Sequence, residues 1–263
     1  MKKYIKMLHM GMQNHLEYRG NCFLTLMVSF IPFAVNILIW LVAIKTSKNA
    51  RFNQDDIITY YFLILIVSNL TECNIEYSIS EDIRLGKLNK FLLQPYDYMI
   101  YHLMLDLPKR VVFFTVGIVP VGLIYLVLHD FIIFQVDIKM FLLFIIALII
   151  AYLLNFILNF LISEFCFYFT SVTSLFTSFD VVKDIAAGAI FPLNAFPDEV
   201  LKIFTILPFQ YLGYFPVTIL VGHESTNIIF HNITISIIWL IILYLCSRII
   251  WKKGLQKYAA FSG

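Results

Sequence analysis

From Ile138 to Leu193 the chain stays apolar for far longer than one membrane helix requires, with a weak point only at Thr170-Ser171-Val172-Thr173-Ser174. A helix crossing a bilayer takes about 20 mostly apolar residues. This tract therefore asks for two, over about residues 139–168 and 175–193. Four further runs read the same way, at about 22–44, 57–79, 107–128 and 228–251. The first contains Pro32, which membrane helices tolerate because neighbouring groups can satisfy the freed backbone. Composition agrees: 60% of residues are hydrophobic, 14% are charged, and mean hydropathy is +0.84, against about 45–50% apolar and 25% charged in soluble domains. Too little polar surface exists to cover a soluble fold, which excludes an aqueous enzyme, and so much apolar residue excludes a disordered chain. The expected fold class is all-α: a polytopic membrane protein of six transmembrane helices.

Cations in the loops set the orientation. Lys2, Lys3, Lys6 and Arg19 precede the first span. Arg84, Lys87, Lys90, Lys109 and Arg110 lie between the second and third, and Arg248, Lys252, Lys253 and Lys257 close the chain. The opposite side holds only Lys45, Lys48, Arg51, Lys139 and Lys202. Both termini are therefore expected in the cytoplasm. Residues 1–20 place Ile5, Leu8, Met12 and Leu16 on one helical face, with Lys2, Lys6, His9, Gln13 and Glu17 opposite, the pattern of an amphipathic helix lying among anionic headgroups. The first apolar run is longer than the 7–15 residues of a signal-peptide core and has no small-x-small cleavage site, so it reads as a retained anchor. A net charge of +2 gives no basic surface for nucleic acid. Cys22, Cys73, Cys166 and Cys246 stand singly, with no zinc or redox spacing.

Charges at membrane depth are costly and by default functional. In the second span Asn69, Glu72 and Glu76 sit at i, i+3 and i+7, on one helical face. Glu164 lies near the cytoplasmic end of the fourth span. Asp180, Lys183 and Asp184 lie in the inner half of the fifth, where Asp180 and Lys183 can pair along the helix. These groups converge on a polar vestibule open to the cytoplasm; the alternative is helix ends that emerge early into water. Tyr60, Tyr61, Tyr96, Tyr98 and Tyr101 are candidates for interfacial aromatic belts.

Two segments outside the spans stand out. Residues 81–94 carry a stripe of Leu85, Leu88 and Leu92 with mixed charges, closed by Pro95; Ser80 is placed to cap a short helix there. Such a helix either docks a partner or packs on the membrane surface. Residues 194–222 are apolar but interrupted by Pro197, Pro208, Gly213 and Pro216, as short helices dipping into the outer leaflet would be. The chain holds no G-x-x-x-x-G-K-[ST] phosphate loop, H-E-x-x-H zinc motif or G-x-S-x-G elbow, so ATP binding, zinc and hydrolase chemistry are not indicated.

Three sets of residues carry a family resemblance: Ile83-Arg84-Leu85-Gly86-Lys87-Leu88 with Leu92-Leu93-Gln94-Pro95; Phe191-Pro192-Leu193 and Phe196-Pro197 leading to Leu207-Pro208-Phe209-Gln210-Tyr211 and Tyr214-Phe215-Pro216; and the tail Gly254-Leu255-Gln256-Lys257-Tyr258-Ala259-Ala260. Together they resemble the permease subunits of type-2 ATP-binding-cassette exporters, in particular the drug and antibiotic export branch. Relatives often carry Arg where Gln94 stands. The resemblance implies a single permease domain over 21–263 in the cell membrane, paired with a second permease, identical or a sister chain, and with two separate ATPase subunits. ATP and Mg would sit on those ATPases, and this chain would hold no cofactor and no catalytic residue. It implies an ATPase-coupling role for the helix at about 81–94, through Arg84, Gly86, Lys87, Leu88, Phe91 and Leu92. Asn69, Glu72, Glu76, Glu164, Asp180 and Lys183 would then line the pathway of a hydrophobic or amphipathic substrate. The alternatives are a membrane scaffold or immunity protein working without ATP, and a lipid-modifying enzyme built on Glu164 and Asp180.

Overall fold

In the computed structural model, residues 2–17, 19–46, 53–132, 137–169, 171–222 and 224–261 are described. Lys48, Arg51, Thr170 and His223 lie outside them, as do the side chains of Lys2, Arg19 and Cys22. Every regular element among the described residues is helical. In chain order they are α1 (Lys2–Glu17), α2 (Arg19–Thr46), α3 (Gln54–Thr71), α4 (Ile75–Arg84), α5 (Leu88–Leu92), α6 (Tyr98–Asp106), α7 (Pro108–Val112), α8 (Ile118–Leu128), α9 (Ile138–Ser163), α10 (Thr173–Ala186), α11 (Asp198–Ile206), α12 (Tyr214–Val221) and α13 (Thr226–Phe261). One wide turn of π-helix, Phe113–Gly117, joins α7 to α8, and tighter 3-10 turns sit at Glu164–Phe167, Leu193–Ala195 and Pro208–Leu212.

Among the described residues five stretches are long and apolar enough to cross a bilayer: Met27–Thr46, Gln54–Arg84, Tyr98–Leu128, Ile138–Phe167 and Thr226–Tyr258. The protein is thus an all-α, multi-pass membrane protein. The run expected to form a span over 175–193 behaves differently. Helix α10 has 14 residues, about 21 Å at 1.5 Å per residue, against a hydrocarbon core of about 30 Å. It stops at Ala187, and Gly188 turns the chain with φ 80°. The third span begins nine residues before the expected Leu107, at Tyr98, because Asp97 caps α6 by accepting from the Ile100 amide at 3.1 Å.

Helix α9 is the axis of the fold: α3, α4, α12 and α13 all pack on it. Its apolar faces divide between two hydrophobic clusters. One joins Ile57 to Val67 of α3 with Leu154, Leu158, Tyr211, Phe215 and Ile229. The other joins Cys73, Ile79 and Leu88 with Phe156, Phe160, Tyr98 and Trp251. Helix α1 packs on α6 and α7 through Met7 and Gly11, while Ile5, Leu8 and Leu16 stay exposed.

Candidate functional site

The second span is not one helix. Helix α3 ends at Thr71, Glu72 is extended (φ −59°, ψ 133°), and α4 starts after Asn74. Glu72 and Glu76 are therefore not on one continuous helical face, and Ser80 lies inside α4 rather than at its cap. A break at membrane depth frees carbonyls that lipid cannot satisfy, at several kcal/mol each. Side chains meet four of them in succession. The Arg110 guanidinium donates through Nε to Leu70 O at 3.0 Å and through a terminal nitrogen to Glu72 O. Asn155 Nδ2 donates to Thr71 O at 2.9 Å and Asn159 Nδ2 to Cys73 O at 2.7 Å. Arg110 is held in turn by the Asp106 carboxylate and lies 4.1 Å over the Tyr152 ring, whose hydroxyl donates to Asp106 at 3.0 Å. Pro108 cannot continue the amide ladder of α6, and the short α7 that follows aims Arg110 inward.

The turn after α10 is satisfied in the same way. The Tyr214 amide donates to Ala187 O at 2.8 Å, Tyr60 Oη to Gly188 O at 2.7 Å, Asn36 Nδ2 to Ala189 O at 3.4 Å and Tyr61 Oη to Ile190 O at 2.8 Å. Tyr60 and Tyr61 are buried donors to this turn, not members of an interfacial belt. Tyr98 is buried too, stacked 5.1 Å from Trp251.

Between the two breaks lies a cavity of about 530 Å³. Ser29, Pro32 and Asn36 of α2 form one wall, Tyr61, Leu65 and Asn69 of α3 another, and Asp180, Lys183 and Asp184 of α10 a third. Unwound backbone lines it as well, at Glu72 and Asn74 of one break and at Ala187, Ala189 and Ile190 of the other. Of the residues expected on a pathway, the structure brings Asn69, Glu72, Asp180 and Lys183 to this cavity. Asn69 donates to Leu65 O at 2.8 Å and to Ser29 Oγ at 3.3 Å, tying α3 to α2. Lys183 Nζ pairs with Asp180 at 2.8 Å, the i,i+3 pair its spacing anticipates. Glu76 is buried within α4 and does not line the cavity. Neither does Glu164, which sits wholly buried where α9 meets α13 and accepts from Ser247 Oγ at 2.7 Å. Glu164 and Asp180 thus belong to different surroundings.

The segment expected as one helix over 81–94 is two, α4 and α5, hinged at Gly86, whose φ of 71° suits glycine. Leu88 is fully buried, and Phe91 packs on Tyr96, Tyr98 and Tyr101. Those two residues anchor the turn. Its outward surface is Arg84, Leu85, Lys87, Leu92 and Leu93, the last 87% exposed. The Glu81 carboxylate, 2.6 Å from Lys87 Nζ, holds that ammonium above the usual lysine range. Asp97 pairs with Arg248, fastening the start of α6 to α13.

Sequence reasoning missed the residues that hold the break at Glu72–Asn74. Arg110 reads as a loop cation, yet its side chain is only 11% exposed within the third spanning stretch. The signal was Asn155 and Asn159, one helical turn apart in an otherwise apolar helix.

The family model described as ABC-2 family transporter protein matches residues 30–262 of the 263. No curated protein matches the chain.

Proposed function

We propose an export role on one premise: the chain belongs to the ABC-2 transporter family, whose proteins are membrane components of ATP-binding-cassette transporters. It is the permease subunit of an ATP-driven exporter in the cell membrane. It pairs with a second permease, and separate ATPase subunits bind and hydrolyse the ATP. The observation that carries this reading is the cavity of about 530 Å³. Its size suits a drug-sized ligand, and unwound backbone at both ends is the pattern of helices that break only where they line a cavity.

Asn69, Glu72, Asp180, Lys183 and Asp184 give the cavity its polar wall, while Phe33, Tyr61 and Leu65 give it an apolar one. That mixture fits a hydrophobic or amphipathic substrate. Arg84, Leu85, Lys87, Leu92 and Leu93 form the surface that meets the ATPase, with Gly86, Leu88 and Phe91 shaping it from behind. The test is accumulation of a fluorescent lipophilic dye in inverted membrane vesicles containing the chain and the ATPase that copurifies with it. ATP-dependent uptake that falls at least fivefold with Glu72→Gln supports the reading. Uptake that proceeds equally without ATP overturns it.

A further inference from the structure

The break between α3 and α4 divides the protein at a particular place. On α3 the first hydrophobic cluster stops at Val67, and the second begins at Cys73. Leu70, between them, belongs to a small separate contact with Phe113. Helix α4 packs on the second cluster and runs into the Gly86 turn, whereas α3 packs on the first and walls the cavity. The peptide groups joining the two bodies are held by Arg110, Asn155 and Asn159 rather than by a helical ladder. Arg110 comes from beside Pro108 and the π-turn at Phe113–Gly117, so the span that supplies the latch is itself interrupted at that level. π-Turns of this kind recur at functional positions in helices.

We infer that Glu72–Asn74 is the hinge through which movement of the cytosolic turn reaches the cavity, and that Arg110 is the positioning residue that latches it. Hinges are short segments at element ends that absorb a change of φ and ψ between two packed bodies. Side-chain donors suit such a segment because they can follow a carbonyl through a rotation that would break an α-helical bond. Both α3 and α4 pack on α9, so tilting α4 about the hinge, across its own contact with α9, displaces Glu72 in the cavity wall while α3 keeps its packing. The inference rests on the permease reading.

The experiment measures a distance in the assembled complex with its ATPase. Spin labels are placed at Gln54→Cys and Ser78→Cys, both exposed, one on α3 and one on α4, in a chain whose Cys22 and Cys246 are serine. The hinge requires the intramolecular distance to shift between nucleotide-free and ATP-trapped complex. It also requires Arg110→Gln to broaden the distribution and remove the shift. Arg110→Gln should leave basal ATP hydrolysis within about twofold of wild type while transport per ATP falls at least tenfold, with Arg110→Lys intermediate. If Arg110→Gln fails to assemble, Asn159→Leu, which removes one donor away from the cavity, gives the same comparison. A complex that hydrolyses ATP with the distance unchanged overturns the hinge and leaves the permease reading intact. Parallel loss of hydrolysis and transport in Arg110→Gln and Asn159→Leu overturns the latch as well. A chain that assembles with no ATPase overturns the permease reading, and the hinge with it.

Discussion

Replacing Gly188 with alanine tests the turn after α10, and its cost can be worked from two features. Gly188 has φ 80°, where an L-residue is strained by about 1–2 kcal/mol. A Cβ there would also stand 2.7 Å from Tyr60 Oη and 3.0 Å from Tyr214 Cβ. The tyrosine hydroxyl must move, which breaks its bond to Gly188 O. Leaving that buried carbonyl unpaired costs about 1–3 kcal/mol. Gly188→Ala is therefore expected to destabilise the protein by about 2–5 kcal/mol. Tyr60→Phe loses the hydrogen bond alone, about 1–3 kcal/mol. In the double variant the clash with Tyr60 Oη is gone, the 3.0 Å approach to Tyr214 Cβ remains, and the hydrogen bond is lost once rather than twice. Its cost should fall short of the sum by about 1–3 kcal/mol, the signature of direct coupling. Reversible unfolding in mixed micelles with increasing dodecyl sulfate, followed by tryptophan fluorescence, measures all three. Strict additivity, or a Gly188→Ala chain within about 0.5 kcal/mol of wild type, would refute the reasoning.

Other expectations follow from the same geometry. Asn159→Leu leaves Cys73 O and Asn155 Oδ1 without a donor they now share at 2.7 and 3.1 Å; it should lose about 2–6 kcal/mol in the same unfolding assay, from two orphaned acceptors. Glu72→Gln should impair dye transport, whereas Glu164→Gln, which keeps an acceptor for Ser247 away from the cavity, should leave transport within about twofold of wild type; the reverse order would move the pathway to the α9–α13 interface. Glu81→Ala removes only a surface ion pair with Lys87 and should shift stability by less than about 1 kcal/mol.

What was readable in the sequence follows from what sets each feature. Hydrophobic run length alone places α9 and the start of α13, because a helix free of internal breaks needs little information beyond its own residues, while α13 runs on to Phe261, past the apolar run that ends near Trp251. Ile138–Phe167 falls within a residue of the expected 139–168. The second span resisted the same reading. Nothing local marks a break at Glu72–Asn74, since the donors that make it affordable to the fold come from α7 and α9, far along the chain. With the break unseen, Glu72 and Glu76 looked like neighbours on one face. Only Glu72 reaches the cavity. Glu164 illustrates the converse limit: a lone carboxylate in an apolar helix signals an unusual role, but whether it faces a cavity or a serine on another helix depends on packing. The leucines and charges of residues 81–94 were legible as a surface segment, yet the positive φ of Gly86 sets Leu85 apart from Leu88 and Leu92, which share α5. The buried leucine anchors the turn that the other two present.

Purification of the chain from its native membrane in mild detergent, with the bound proteins identified by mass and assayed for ATP hydrolysis, tests the central claim most directly. The account predicts an ATP-binding-cassette ATPase bound to the wild-type chain, and its loss when exposed Leu92 and Leu93 are both changed to aspartate, with the permease still folded. A folded wild-type chain that carries no such ATPase would contradict it.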